Sequence, residues 1–241
     1  MHIASINLRI NVDVDQENSW VYRKQKMIDF IKEKDFDVIG CQEASEDMVL
    51  DLKEGLSDLY EIIFQPRDNR KEGTPILYKK EMVVLNQGTF WLSETPYQES
   101  IVEGSHFPRI CTYARFKEFI FFNTHLDYVS DDVCLIQAKH LVENMQLLSK
   151  EENSFILTGD FNMYPNSKTI QYMNKYYMHD YQHQHKNQLT FHGYKDIVKG
   201  EPIDYIFHTK NIKASRLTIH YNKNKGIFLS DHYPISLDVN V

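Results

Sequence analysis

The sequence predicts an α/β fold in which two sheets pack face to face and helices cover their outer sides. Three observations lead there. Strand-helix-strand units mix with runs of consecutive strands, a pattern that an all-parallel doubly wound sheet does not produce. The strands are short and number about ten or more, which suits two packed sheets. The chain has 241 residues, 42% of them hydrophobic, enough for one large core and hence a single domain over residues 1–241.

The elements follow in chain order. Residues 2–8 form an apolar strand. Over 18–34, Trp20, the stem of Lys24, Met27, Ile28 and Ile31 share one helical face, and Asn18 or Ser19 can cap it. A short buried strand, "DVIGCQE" (37–43), ends in a carboxylate. A helix at 46–58 and a strand at 60–64 come next. Strands at 75–79, 82–91, 111–116 and 119–125 are separated by turn-like or polar segments, and the loop 93–109 carries two prolines. In the helix at 131–150, Val133, Ile136, His140, Leu141, Met145 and Leu148 stripe one side. A strand at 154–160 and a helix at 167–177 precede an irregular stretch, 179–202, rich in His and Gln. Strands at 203–209, 215–221 and 233–239 close the chain.

Composition narrows the function. The formal net charge is -7, whereas proteins that grip long nucleic acid carry a basic excess to neutralise phosphates. The segment 209–225 is locally basic, as a solvated edge also would be. Three cysteines, an odd number without metal-ligand spacing, fit a reducing compartment; Cys41 and Cys111 sit in apolar strands and read as core residues. The N-terminal "MHIASINLRI" lacks the basic and apolar regions of a signal peptide, and no stretch reaches the length of a membrane span. A cytoplasmic location is therefore expected. Oligomeric state is not encoded in any feature of the sequence.

Six apolar elements carry an acid, amide or imidazole near one end. They are "SINLR" with Asn7, "IGCQE" with Glu43, "NTHLD" with His125, "LTGDFN" with Asp160 and Asn162, "IDYIF" with Asp204, and "SDHYP" with Asp231 and His232. Each alone has an ordinary reading: a turn or strand end for most, the start of the next loop or helix for Glu43, and a hydrogen-bonded structural histidine for His125. Core packing gives no reason for all six together. In an extended strand, positions 160 and 162 would face one way and Phe161 the other, and Gly159 permits a close backbone approach. Carboxylate and amide oxygens suit a hard divalent ion such as Mg2+. An Asp–His pair provides a charged or oriented imidazole. Together they fit attack of water on a phosphoester. Acyl transfer fits less well because no G-x-S-x-G elbow occurs, and there is no P-loop.

The ordered set of motifs, spanning residues 5 to 234, resembles the endonuclease/exonuclease/phosphatase superfamily with its DNase I-like fold. The resemblance implies a four-layer α/β sandwich whose two central, mainly antiparallel sheets are flanked by helices, with the site at one edge. It implies Glu43 as the main Mg2+ ligand, with Asn7 and Asp231 close to the metal. Asp160 would orient or deprotonate the attacking water, and Asn162 would bind phosphate or metal. His232 would contact the scissile phosphate with Asp204 as its carboxylate partner, and His125 would be the second histidine. "GTFWLSETP" and "PRICTYARF" resemble an uncharacterised bacterial subgroup, in which Arg109 meets a phosphate; as a residue before a buried strand it could offer a bidentate fork or a surface ion pair. Arg67, Asp68 and Glu72 form a polar loop bordering the pocket. His192 is expected on the substrate side. "HQHK" (183–186) reads as a solvated loop.

The expected activity is that of a Mg2+-dependent phosphoesterase, with Mn2+ an alternative ion. Water attacks in line, and His232 or a water protonates the leaving oxygen. The acidic balance favours a small phosphorylated molecule or lipid headgroup over nucleic acid. A nuclease or deadenylase is the alternative, and a non-catalytic binding module with the same fold a remote one.

Overall fold

The computed structural model describes residues 1–149, 154–179, 188–221, 223–224 and 227–241. The "HQHK" stretch and part of the basic segment 209–225 lie outside these residues. The chain opens with β1 (His2–Asn7), a 3-10 turn (Asp13–Asn18) and α1 (Trp20–Lys34), then β2 (Val38–Gln42), β3 (Ala44–Ser45) and α2 (Glu46–Leu56). Next come β4 (Tyr60–Ile63), β5 (Glu72–Gly73), β6 (Ile76–Lys79), β7 (Asn86–Trp91), β8 (Ile110–Arg115) and β9 (Ile120–His125). The remainder comprises α3 (Asp131–Leu148), β10 (Phe155–Asp160), α4 (Lys168–Met173), β11 (Asp204–His208), β12 (Lys213–Ile219), β13 (Lys223–Asn224), β14 (Ile227–Phe228) and β15 (Ile235–Asn240).

Two large sheets take up eleven of these fifteen strands, and β3/β5 and β13/β14 form separate two-stranded pairs. A six-stranded sheet runs β12-β15-β1-β2-β6-β4, and a five-stranded sheet runs β11-β10-β9-β8-β7. All neighbours are antiparallel except β1/β2 and β9/β10. Each sheet therefore has a parallel pair near its middle, and these pairs pack on one another across the sandwich. Their strands end at Asn7, Gln42, His125 and Asp160.

The period-2 alternation of strands explains the layers. Ile3 and Val38 point into the sandwich, whereas Ala4, Ile6, Ile39 and Cys41 point outward onto α1 and α2. Helix α1 buries Trp20, Arg23, Met27, Ile28, Phe30 and Ile31, close to the expected face. On the other side, α3 and α4 cover the five-stranded sheet.

Three expectations change. The buried face of α3 is Cys134, Gln137, Ala138, Leu141, Val142 and Met145, one step round from the predicted stripe; Ile136 is exposed. Two buried polar contacts fix that rotation: Gln137 Oε1 accepts from Asp127 N at 2.9 Å, and Cys134 Sγ donates to Asp127 O at 2.6 Å. The strand expected from residue 82 begins at Asn86, because Met82 N closes a turn onto Lys79 O. Helix α4 ends at Met173. All three cysteines are free and buried. No helix among the described residues is long and apolar enough to cross a membrane.

Candidate active site

A polar seam runs between the sheets before it reaches the cleft. Gln42 Nε2 donates to Asn123 Oδ1 at 2.7 Å and to Ser5 Oγ at 3.1 Å. Asn123 Nδ2 donates to Cys41 O and Pro75 O, and Thr158 Oγ1 donates to Asn123 Oδ1. The sheets approach so closely that a Cβ on Gly40 would lie 2.0 Å from Thr158 Oγ1. Two residues further along three of these strands, on the same face, stand Asn7, His125 and Asp160. The site is thus the end of the seam.

Asn7 joins the sheets there. Its Nδ2 donates to Asp160 Oδ2 at 2.9 Å and to Glu43 Oε1 at 3.1 Å. Glu43 follows β2 with a left-handed φ of 55°, which turns its carboxylate back over the strand end; Ile10 N donates to Oε2 at 3.1 Å. Asp160 is 1% exposed. Burial and the charge of Asp204 push its pKa up to about 7, against the opposing pull of His232 and the Asn162 N–H.

Asn162 reaches the cleft differently from the strand alternation expected of it. The strand stops at Asp160, and Asn162 has φ 53°. Its N–H donates to Asp160 Oδ1 at 2.9 Å, and its Nδ2 donates to His125 Nε2 and Leu126 O, each at 3.1 Å. Phe161 points away into the core against Tyr205 and Phe207. Gly159 is needed where it stands, since a Cβ would lie 2.6 Å from Thr124 O.

Two histidines flank Asp160 in opposite charge states. His125 Nε2 and His232 Nε2 each lie 3.7 Å from Asp160 Oδ2. Burial, then Arg109, Arg67 and His232, hold His125 well below its usual pKa, so it is a neutral imidazole. His232 Nδ1 donates to Asp204 Oδ2 at 2.8 Å. Burial opposes its protonation, but Asp204, Asp160 and Asp231 outweigh that and hold it well above its usual value. Asp204 and Asn7 stand behind the cleft as supports; Glu43, His125, Asp160, Asn162, Asp231 and His232 line it. The cleft has a volume of about 480 Å3.

Arg109 lines the same cleft and is buried. His192 does not reach it. Its ring is sealed between Tyr233 (centroids 4.1 Å apart) and Phe228 (4.4 Å), and burial lowers its pKa to about 4. The side chain that faces the cleft from this turn is Phe191, which pairs with His232 in an isolated bridge.

Several side chains that line or brace the cleft escaped the sequence reading. Arg9, two residues after Asn7, makes a two-point contact with Asp15 (2.8 and 2.9 Å) and approaches Asp231 (3.7 Å) and Glu43 (3.9 Å). Fully buried Arg23 donates to the carbonyls of Leu8, Arg9, Asn18 and Leu229, tying the loop after β1 to the loop that carries Asp231. Only the "NLR" spacing hinted at Arg9; Arg23 is indistinguishable from a solvated helix residue. Arg70 and Phe107 also line the cleft.

The donor set fits a hard divalent cation. Ligand atoms of Glu43, His125 and Asp160 all lie within 4.8 Å of one another. Asp231 and Glu72 also line the cleft, which makes four carboxylates among the described residues. The donors are mostly oxygen, and the cysteines lie in the core, as Mg2+ or Mn2+ chemistry favours.

Comparison with known proteins agrees with this architecture. A profile described as the Endonuclease/Exonuclease/phosphatase family matches residues 10–232. A mannosyl-6-phosphatase from Bacteroides thetaiotaomicron VPI-5482 is similar at 27% identity, with 100% of each chain covered and a TM-score of 0.92. A functionally unknown conserved protein from Enterococcus faecalis V583 is 27% identical, covering 100% of this chain and 99% of that one, with a TM-score of 0.89. The human Nocturnin catalytic domain, solved with bound sulfate, shares the fold at 17% identity, 100% and 93% coverage and a TM-score of 0.77. No functionally curated protein matches the chain in sequence.

Proposed function

Since the chain belongs to the endonuclease/exonuclease/phosphatase family, we propose that it is a divalent-metal-dependent phosphoesterase, using Mg2+ or Mn2+, that acts on a small phosphorylated molecule or lipid headgroup. The observation that carries this reading is the convergence of Glu43, His125, Asp160 and His232, drawn from four separate segments, on one cleft. A 27% identical relative bears the name mannosyl-6-phosphatase, which supports a small substrate over nucleic acid. The net charge of -7 points the same way.

Glu43 would be the main ligand of the cation, with Asp231 near it in the cleft, and Asn7 fixes Glu43 and Asp160 relative to each other. When bound, the ion supplies positive charge to the phosphoryl group. Asp160 accepts a proton from the attacking water. His232, protonated and held by Asp204, donates to a phosphoryl oxygen as charge builds there. Because His232 and Asp160 are only 3.7 Å apart, they serve the same side of the phosphorus. The leaving oxygen departs from the opposite side and takes its proton from solvent. His125, neutral, and the Asn162 amide position the phosphate beside them.

The test is turnover of a phosphate-ester panel with Mg2+ or Mn2+, for the wild type and for Asp160→Asn and His232→Ala. Losses of roughly 10²–10⁴-fold in both variants are expected. Near-normal turnover in either folded variant would refute the assignment.

A further inference from the structure

One wall of the cleft is built from guanidinium groups stacked about a single ring. The Cζ atoms of Arg67, Arg70 and Arg109 lie 4.6, 4.7 and 5.4 Å from the centroid of Phe107, and all four residues line the cleft. Three like charges on one ring face or edge need anionic compensation. Each has one carboxylate within 4 Å, while Asp68 also acts on Arg67 and Glu72 on Arg109 at longer range. Arg67 Nη2 donates to Glu72 Oε2 at 2.6 Å, Arg70 Nε lies 3.2 Å from Asp68 Oδ2, and Arg109 Nε lies 3.6 Å from Asp127 Oδ2.

These partners leave most of the donor capacity unspent. The Arg67 and Arg109 side chains are 6% and 3% exposed, and the buried Nε of each has no hydrogen-bond partner. Asp127 is itself occupied. Its Oδ1 accepts from the N–H groups of Tyr128 and Val129, and its Oδ2 from Ser105 Oγ and His106 N. Those bonds fold the loop that carries Phe107 and Arg109, and they leave Arg109 with an ion-pair neighbour in place of a hydrogen bond. The buried Nε atoms are out of a ligand's reach, but among the described residues Arg109 makes no hydrogen bond through its guanidinium and Arg67 makes one, through Nη2; the remaining Nη groups of these cleft-lining residues can act as an oxyanion fork.

We propose that this arginine wall recognises the third oxygen and second negative charge of a terminal phosphate, so that the protein is a phosphomonoesterase that discriminates against diesters. The inference rests on the phosphoesterase reading above. A monoester phosphate carries close to two charges near neutral pH and three unesterified oxygens. A diester carries one charge and has two such oxygens. With a diester bound, a carbon substituent would occupy the third position, leaving buried N–H groups desolvated without acceptors. The reaction is balanced as hydrolysis: the water oxygen bonds to phosphorus, the ester P–O bond breaks, and inorganic phosphate and an alcohol leave.

The experiment compares kcat/KM for p-nitrophenyl phosphate, mannose 6-phosphate and bis(p-nitrophenyl) phosphate with Mg2+ or Mn2+. Wild type, Arg109→Gln, Arg109→Lys and the half-exposed Arg70→Gln are assayed, each checked for folding by circular dichroism. Wild type is expected to favour a monoester by roughly 100-fold or more. Arg109→Gln should lower monoester turnover by roughly 100-fold, leave the diester within about threefold, and be partly rescued in Arg109→Lys. Arg70→Gln should lower monoester turnover by roughly 3–10-fold and provides the readout should Arg109→Gln not fold. Thermal protection by inorganic phosphate, but not by dimethyl phosphate, should weaken in the same order. Equal cleavage of both ester classes, or equal losses on both in the arginine variants, would overturn the inference while leaving the phosphoesterase reading intact. Cleavage of no ester by the folded wild type would overturn both.

Discussion

Asn7 and Asp160 stand 153 residues apart in the chain, on different sheets, and share a 2.9 Å hydrogen bond at the floor of the cleft. The same amide holds Glu43, so one side chain sets the distance between two carboxylates that would repel each other. Asn7→Ala should leave both less constrained and remove a donor from a buried carboxylate. The expected cost is about 1–3 kcal/mol in stability and roughly 10–10³-fold in turnover. Urea denaturation and steady-state kinetics check it; unchanged kinetics in a folded variant would remove Asn7 from the site.

Asp204 holds His232 in its protonated form. In metal-free protein, Asp204→Asn should shift the His232 titration downward, measured by NMR of the imidazole. The sign follows from the raised folded pKa of His232. Its stabilising contribution is complete below the unfolded value of 6.5 and disappears as pH rises through the folded value. As pH rises, the variant should therefore lose this His232 contribution at a lower pH than the wild type does. An unmoved titration would mean that Asp160 and Asp231 alone set the charge.

Asp160 titrates at about 7 in the metal-free site, and a bound cation favours its ionised form. Metal binding at pH 6 should release close to one proton, because the carboxyl is then mostly protonated. At pH 9 release from this group should be near zero. Calorimetric titration with Mg2+ or Mn2+ in buffers of different ionisation enthalpy measures the difference. Equal release at both pH values would place the titrating group elsewhere.

His192 has a folded pKa of about 4 against an ordinary 6.5. Between those values the unfolded chain binds the proton and the folded one does not, so stability falls as pH drops from 6.5 towards 4. His192→Phe, filling the slot between Tyr233 and Phe228, should flatten that limb and raise stability at pH 4 by on the order of 3 kcal/mol relative to wild type. Melting temperatures at pH 7.5 and pH 5 should diverge accordingly; parallel shifts would contradict the account.

The strand ends were legible in the sequence because a polar residue closing an apolar run has no packing explanation. Asn7, Glu43, His125, Asp160 and His232 all followed from that signal. Phe191 and His192 show where the signal fails: adjacent residues of an extended segment face opposite sides, so an error of one position exchanges the cleft for the core. The α3 face shifted for a related reason, since Gln137 and Asn144 are buried polar residues that an apolar stripe cannot reveal. The arginine wall had no sequence signature as an assembly. Arg67, Arg70, Phe107 and Arg109 come from two loops, and the buried Asp127 shapes one of them.

Arg9, Glu43 and Asn162, with φ of 54°, 55° and 53°, each hold a backbone conformation that costs an L-residue with a side chain about 1–2 kcal/mol. Glycine would relieve that cost at all three positions while deleting three side chains that line the cleft. A population selected only for heat resistance would be expected to drift toward glycine there and fall silent, its robustness gained at the expense of its trade.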